Sequence, residues 1–156
     1  MTTKLSQLFD LSILLQEKIS ALYFLFSEIF PEDAILWKQL SIEESNHAHI
    51  IEDAKDALFS TGFSSTQIIP KDIDKLKESI NKIDEFIVYY NKNNTSANRK
   101  KSFKDAMHIE TLSGELDYEQ AMSKKTFAPS LVMLQELNGE DKLHATRIRE
   151  YANNIA

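Results

Sequence analysis

Apolar residues recur every three or four positions along most of the chain, and this spacing predicts long amphipathic α-helices. The first predicted helix, from Lys4 to Phe30, has two apolar faces and is therefore expected to be buried on both sides, by the same chain or by a second subunit. We assign Glu17 to the main apolar face. That face consists of Leu5, Leu8, Phe9, Ile13, Glu17, Ser20, Ala21 and Phe24.

The second predicted helix begins at Pro31 and runs to about Phe59, because Pro and the acids that follow it suit a first helical turn. Its apolar series contains two polar residues, Glu44 and His47, which lie three positions apart. Their side chains therefore leave one face of the helix one turn apart. A buried carboxylate beside a buried imidazole is costly unless a partner or a metal ion balances it. His49 is predicted to face away from this pair.

A connection over about 60–101 separates the second helix from the next long one. It contains an amphipathic segment that follows Pro70, which predicts an extra helix, and then a polar loop at 91–98 that is rich in Asn. No motif comparable to the Glu44 pair occurs in this connection.

Two further helices complete the chain. One is predicted to start at Ser102, which opens a sequence similar to a capping box, and to run to about Lys125. Its apolar series includes Glu110. The last helix has Asp141 and His144 three positions apart in its apolar series. An acid and a histidine therefore share a predicted core face for a second time.

The second and last helices carry an internal repeat. Their sequences are Leu-x-x-Glu-Glu-x-x-His-Ala-x-x-Ile and Leu-x-x-Glu-Asp-x-x-His-Ala-x-x-Ile. Aligning His47 with His144 places Asp141 on Glu44. The first and third helices match as well, since small residues follow both Glu17 and Glu110.

The predicted ligand-type side chains on the core faces are Glu17, Glu44, His47, Glu110, Asp141 and His144. Two alternates remain. Glu115 competes with Glu110, because it precedes Pro129 by the same spacing that separates Glu17 from Pro31. Glu140 competes with Asp141, whose side chain is one methylene shorter than that of Glu.

Length and composition fit this helical interpretation. The chain has 156 residues, with three Gly and three Pro, which suits a single domain over 1–156 made of helix pairs at about 4–59 and 102–154. It has no Cys, which excludes disulfides, thiolate metal sites and iron–sulfur clusters.

Charge and hydropathy narrow the expected partners. Acids outnumber bases 24 to 18, so the net charge is −6, which argues against nucleic-acid binding. The apolar run over 19–26 is far shorter than the roughly 20 residues of a membrane span. With no signal peptide visible, we expect a cytoplasmic protein that does not bind membranes.

The six ligand-type residues resemble those of the ferritin-like superfamily, and in particular its rubrerythrin-type members. In such di-metal bundles two helices give one acid each, and two give an acid and a His at i, i+3. The resemblance implies an all-α four-helix bundle with a long crossover, containing an extra helix, between the second and third bundle helices. It further implies that Glu17 and Glu110 bind one metal each, that Glu44 and Asp141 bridge two metals, and that His47 and His144 bind one each.

The resemblance also implies an activity. It predicts a di-iron carboxylate oxidoreductase of rubrerythrin or ferroxidase type that reacts with hydrogen peroxide or dioxygen, with manganese or zinc as alternative metals. Because no Cys is present for a rubredoxin domain, electrons would come from an external donor protein or from ferrous iron. The second apolar face of the first helix favours a homo-oligomer, at least a dimer. Alternatives are iron storage, a metal-free helical interaction bundle, or di-iron hydroxylation of an organic substrate.

Overall fold

The computed structural model describes residues 4–60, 73–112 and 143–155, and all regular secondary structure within these segments is helical. The predicted all-α class is confirmed for these parts of the chain. The elements are α1 (Lys4–Ile29), a 3₁₀ turn (Pro31–Asp33), α2 (Ala34–Ser60), α3 (Ile73–Lys92), α4 (Arg99–Thr111) and α5, described over 143–153. None of the described helices is long and apolar enough to cross a membrane.

Helices α1 and α2 form a close antiparallel pair. The 3₁₀ turn reverses the chain at Pro31, so the second helix begins near its predicted position. The hydroxyls of Ser20 and Ser41 each donate to the other residue's backbone carbonyl at 2.7 Å. Because both side chains are small, the two backbones approach closely at this level, one turn from Glu44.

The predicted inward face of α1 is wrong. Glu17 is exposed and Phe24 is 50% exposed. The buried face includes two polar residues in its first half, Ser12 and Gln16, and a third, Ser27, near its end. Ser12 and Gln16 interrupt the apolar series, so the sequence does not reveal which face is buried. That face consists of Leu8, Phe9, Ser12, Leu15, Gln16, Ile19, Leu22, Tyr23 and Phe26.

Helix α3 is the extra helix predicted within the connection, and it packs against α1. The rings of Phe26 and Tyr90 meet edge to face with centroids 4.7 Å apart, and Lys18 pairs with Asp84 at 2.6 Å. The Tyr90 hydroxyl donates to Asp105 at 2.6 Å, which joins α3 to α4. The extra helix therefore belongs to the core.

The predicted start of α4 is wrong. The helix starts at Arg99, and its N-cap is Asn98, whose side-chain oxygen accepts from the Lys101 backbone N–H at 3.1 Å. Ser102 lies inside the first turn, where it is buried, instead of capping it. The described helix extends to Thr111, and its predicted continuation to about Lys125 lies outside the described residues.

Contacts between side chains give the helix directions. Arg99 at the start of α4 binds Asp33 just before α2, and the Phe103 ring packs on Trp37 one turn further along both helices. Helices α2 and α4 therefore run parallel. Helix α5 is antiparallel to α2, because its end lies at Asp33, through Tyr151, while His144 lies at Glu44.

Candidate metal centre

Helix α2 carries polar groups into the protein core. Its predicted face is confirmed, with Glu44 and His47 each 1% exposed. Apolar side chains hold this face in place on both sides of the pair, because their burial fixes the rotation of the helix. The buried residues of the predicted face are Trp37, Leu40, Glu44, His47, Ile51 and Ala54.

Helix α5 brings His144 to the same point. Ile148, one turn later, is fully buried and anchors this face of α5 against the core. The Nδ1 atom of His144 lies 2.9 Å from Oε1 of Glu44, which is hydrogen-bonding distance. The Nδ1 atom of His47 lies 3.6 Å from the other carboxylate oxygen, Oε2. The Glu44 carboxylate thus faces the Nδ1 atoms of two imidazoles from different helices.

The two imidazole rings stack. Their centroids are 5.1 Å apart, and the ring planes differ by 9°. Each ring turns its Nδ1 atom towards Glu44, so three donor atoms face one small volume. His144 is 1% exposed, so all three donors are shielded from solvent.

Imidazoles are the sole ionisable groups, among the described residues, that contact the Glu44 carboxylate. Burial alone would raise the pKa of Glu44, but hydrogen bonding and charge from His144 and His47 outweigh it and hold that pKa below its usual value. The carboxylate therefore stays ionised without a Lys or Arg beside it. Its Oε2 atom accepts no hydrogen bond from a described residue.

Glu44, His47 and His144 form a group that could hold a metal ion. Their ligand atoms all lie within 4.8 Å of one another. One carboxylate and two imidazoles suit iron and zinc, both of which bind such mixed sets with coordination positions left open. The negative carboxylate, with no fixed positive charge at hand among the described residues, favours a cation at this point.

A rim of charge borders the cluster on the solvent side, and we did not predict it. Arg147 donates to both carboxylate oxygens of Glu43 at 2.7 Å. Glu43 also lies 3.9 Å from Nε2 of His144. The sequence offered one sign of this pair, the positions of its two residues. Glu43 directly precedes Glu44, and Arg147 follows His144 by one turn on α5.

Glu110 is half-buried on α4 and accepts a hydrogen bond from the Tyr23 hydroxyl at 2.5 Å. It is not among the three clustered donors. The parallel course of α2 and α4 nevertheless puts Glu110 near the level of Glu44. Glu44 lies seven residues after Trp37, Glu110 lies seven after Phe103, and the rings of Trp37 and Phe103 are in contact.

The structure does not bring Glu17 to the cluster, because this residue is exposed and its neighbour Gln16 is buried instead. The remaining predicted ligand, Asp141, lies outside the described residues, as do the alternates Glu115 and Glu140. The described site therefore has one carboxylate and two imidazoles of the six predicted ligands.

Comparisons with protein-family models, with curated proteins and with solved structures found no match. The fold and the site define a class by their own geometry: a helical protein with a buried carboxylate–imidazole cluster that could hold a metal ion. Further conclusions on function depend on the chemistry of these side chains.

Proposed function

We propose that this protein is a metal-dependent oxidoreductase whose centre is built on Glu44, His47 and His144. The observation that carries the proposal is the buried Glu44 carboxylate that faces the Nδ1 atoms of two imidazoles from separate helices. Such an arrangement is expensive to bury unless it serves a bound cation.

We further propose a ferritin-like four-helix bundle in which α1, α2, α4 and α5 surround the centre. The parallel course of α2 and α4 supports it, because two parallel neighbours in one bundle require a long connection between them. Helix α3 would then belong to that crossover, and its packing on α1 is compatible with such a role.

The proposed metal is iron, with manganese or zinc as alternatives. Glu44, His47 and His144 would hold one ion, and Glu110 with Asp141 would complete the site of a second. Bound iron would supply the electrons that reduce hydrogen peroxide or dioxygen. Glu17 has no place in this proposal, because it is exposed.

Other side chains of the centre have roles of their own. The hydrogen bond from Tyr23 to Glu110 fixes one oxygen of that carboxylate. Leu40 and Ile51, both fully buried on α2, flank the cluster with apolar surface that keeps bulk water out. The Arg147–Glu43 pair lies across the outer side of His144.

We also propose an external electron-donor protein and self-association into at least a dimer. Two large apolar side chains of α1, Leu14 and Phe24, are 38% and 50% exposed and support an interface on this helix. The chain has no Cys for a rubredoxin domain, so electrons would come from such a donor or from ferrous iron itself.

A second candidate is a metal-free helical bundle. The 2.9 Å contact between Glu44 and His144 is an ordinary hydrogen-bond length and favours this alternative, since it ties α2 to α5 without an ion. In that case the cluster would serve only to fix the packing of the two helices.

Metal content separates the two candidates. Protein purified without chelators should retain metal at close to two ions per chain, and His144→Ala should lose at least one of them. His49→Ala is the matched control, because His49 is 73% exposed on the same helix as His47 and contacts only Glu52 at 3.9 Å among the described residues. Metal near zero in the unaltered protein would overturn the metal proposal and leave the metal-free bundle.

Reactivity tests the activity itself. Protein loaded anaerobically with ferrous iron should give a fast absorbance change on addition of peroxide, and His144→Ala should abolish it. Retained metal with no reaction towards peroxide or dioxygen would leave a metal site but contradict the oxidoreductase.

A further inference from the structure

A cavity lies away from the metal centre, between the first turns of α4 and the end of α5. Its volume is about 370 Å³, within the range of small-ligand sites. The floor is apolar and is formed by Phe103, Met107, Ala152 and Ile155. Phe103 is fixed from below by Trp37 and from the side by Tyr151, with ring centroids 5.1 and 5.7 Å away. The floor is thus preformed by packed core side chains.

The rim of this cavity is basic in a chain whose net charge is −6. Lys100, Lys104 and Arg149 line it, and all three are exposed. Within the described segments none of the three pairs with a carboxylate; Arg149 bonds only the Thr146 hydroxyl, at 3.4 Å. A fourth base, Arg99, is already neutralised by Asp33. Three positive charges around an apolar floor therefore lack a described counter-ion.

We propose that this cavity binds a free organic anion with an apolar body, such as a single-chain carboxylate. The apolar floor would contact the body of the ligand, and the three basic side chains would bind its charged head. A metal cation is disfavoured by the same positive charges, and the flexible ammonium and guanidinium groups suit a solvent-exposed anionic head.

The site is separate from the metal centre. Ala152 lies eight residues after His144 on α5, which is about 12 Å along a helix. Loss of the metal site is therefore not expected to affect anion binding, and the proposal does not depend on the proposed oxidoreductase.

Calorimetric titration with decanoate, below its micellar concentration, tests the proposal on the full chain. We expect one saturable site whose affinity falls as salt is added, because exposed charges are screened. 1-Nonanol, with the same apolar body and no charge, should bind more weakly. No saturable decanoate binding, or equal binding of 1-nonanol, would overturn the proposal.

Two sets of variants locate the site. Lys100→Gln with Lys104→Gln should weaken decanoate binding by about fivefold, as expected for the loss of two exposed charge contacts. Lys38→Gln with Lys77→Gln makes the same charge change at exposed positions outside the cavity and should leave affinity unchanged. Ala152→Phe should block binding by filling the cavity. Equal affinity in all variants would place the ligand elsewhere.

A lipid surface is the competing source of such an anion. The protein should not co-sediment with phosphatidylglycerol vesicles, whereas it should bind free decanoate. Binding to these vesicles without binding of free decanoate would overturn the assignment of a free ligand.

Discussion

Asp33 and Glu44 are two carboxylates that the fold buries equally, each 1% exposed, yet their partners differ. Asp33 accepts from Nε and a terminal nitrogen of Arg99 at 2.6 and 2.5 Å, and from the Tyr151 hydroxyl at 2.8 Å. The planar guanidinium matches the carboxylate as a fork and keeps its charge at every ordinary pH. Asp33 is thus neutralised by a permanent cation and ties together α4, α5 and the start of α2.

Glu44 has no such cation among the described residues. Its partners are His144 and His47, which are charged only when protonated and which bind metals when neutral. The comparison teaches that burial alone does not mark a metal site. The informative feature is the kind of partner: a fixed charge completes Asp33, whereas the partners of Glu44 can themselves bind an added ion.

The largest expected effect is on metal-dependent stability. Ligand at 100 times its dissociation constant stabilises a folded protein by about 2.7 kcal/mol. For a chain of this size we expect iron or zinc to raise the unfolding midpoint by about 5–10 °C. Glu44→Gln should abolish that shift, because it removes the carboxylate from the three donors that the described residues bring together. Thermal unfolding with and without metal measures it.

Asp33→Asn is the matched control for Glu44→Gln and should retain the full metal-induced shift. Loss of the shift in both variants would show that it reports general destabilisation, and the contrast between the two carboxylates would fail.

The next effect concerns the metal-free protein. Asp33→Asn should lower its free energy of unfolding by about 1–3 kcal/mol, because it leaves charged and hydroxyl donors without their acceptor. Glu44→Gln should lower it by less than Asp33→Asn does, since removal of a buried charge offsets part of the loss of its hydrogen bond. Urea denaturation of both variants measures these changes.

Glu32→Gln serves as the surface control for Asp33→Asn, because Glu32 is 52% exposed and lies 3.7 Å from the same Arg99. Its effect should stay below about 1 kcal/mol. A metal-free Glu44→Gln protein as unstable as Asp33→Asn would indicate that Glu44 is a structural anchor of the same kind.

The smallest effects are on pH dependence. The pKa of Glu44 in the folded protein lies below its ordinary value of 4.5, because the two imidazoles outweigh the opposing effect of burial. Its stabilising contribution is therefore present above pH 4.5 and is lost as the pH falls. Metal-free Glu44→Gln should lose less stability on acidification than the unaltered protein, as measured by denaturation at stepped pH.

The Asp33 cluster should respond at the alkaline end. Burial raises the pKa of Tyr151 above its ordinary value of 10.0, and the hydrogen bond to Asp33 raises it further. The contribution of Tyr151 is present below pH 10.0 and is lost as the pH rises. Tyr151→Phe should reduce the loss of folding stability at alkaline pH and leave the loss of stability at acid pH unchanged. A change in the loss of stability at acid pH would show that the Asp33 and Glu44 clusters are coupled.

The sequence predicted α2 better than α1, for a physical reason. On α2 one face from Trp37 to Ala54 is apolar apart from Glu44 and His47, so its register is clear and places both inside, although the exposed Ile42 lies outside that face. On α1 apolar residues occupy several faces, and two buried polar residues disguise the one that packs. The exposed position of Glu17 follows from that error.

The repeat between α2 and α5 predicted part of the site that composition alone could not predict. It paired His47 with His144, and the structure brings both to Glu44. It did not reveal the Glu43–Arg147 pair or the hydrogen bond from Tyr23 to Glu110, because these depend on distances between helices that no single-helix periodicity contains.

Anomalous scattering at the iron edge, from crystals grown with ferrous iron under anaerobic conditions, tests the central claim most directly. We predict a peak about 2.0–2.2 Å from a Glu44 oxygen and from the Nδ1 atoms of His47 and His144, as expected of metal–ligand bonds. A well-ordered Glu44 still hydrogen-bonded to His144, with no peak between them, would contradict the assignment.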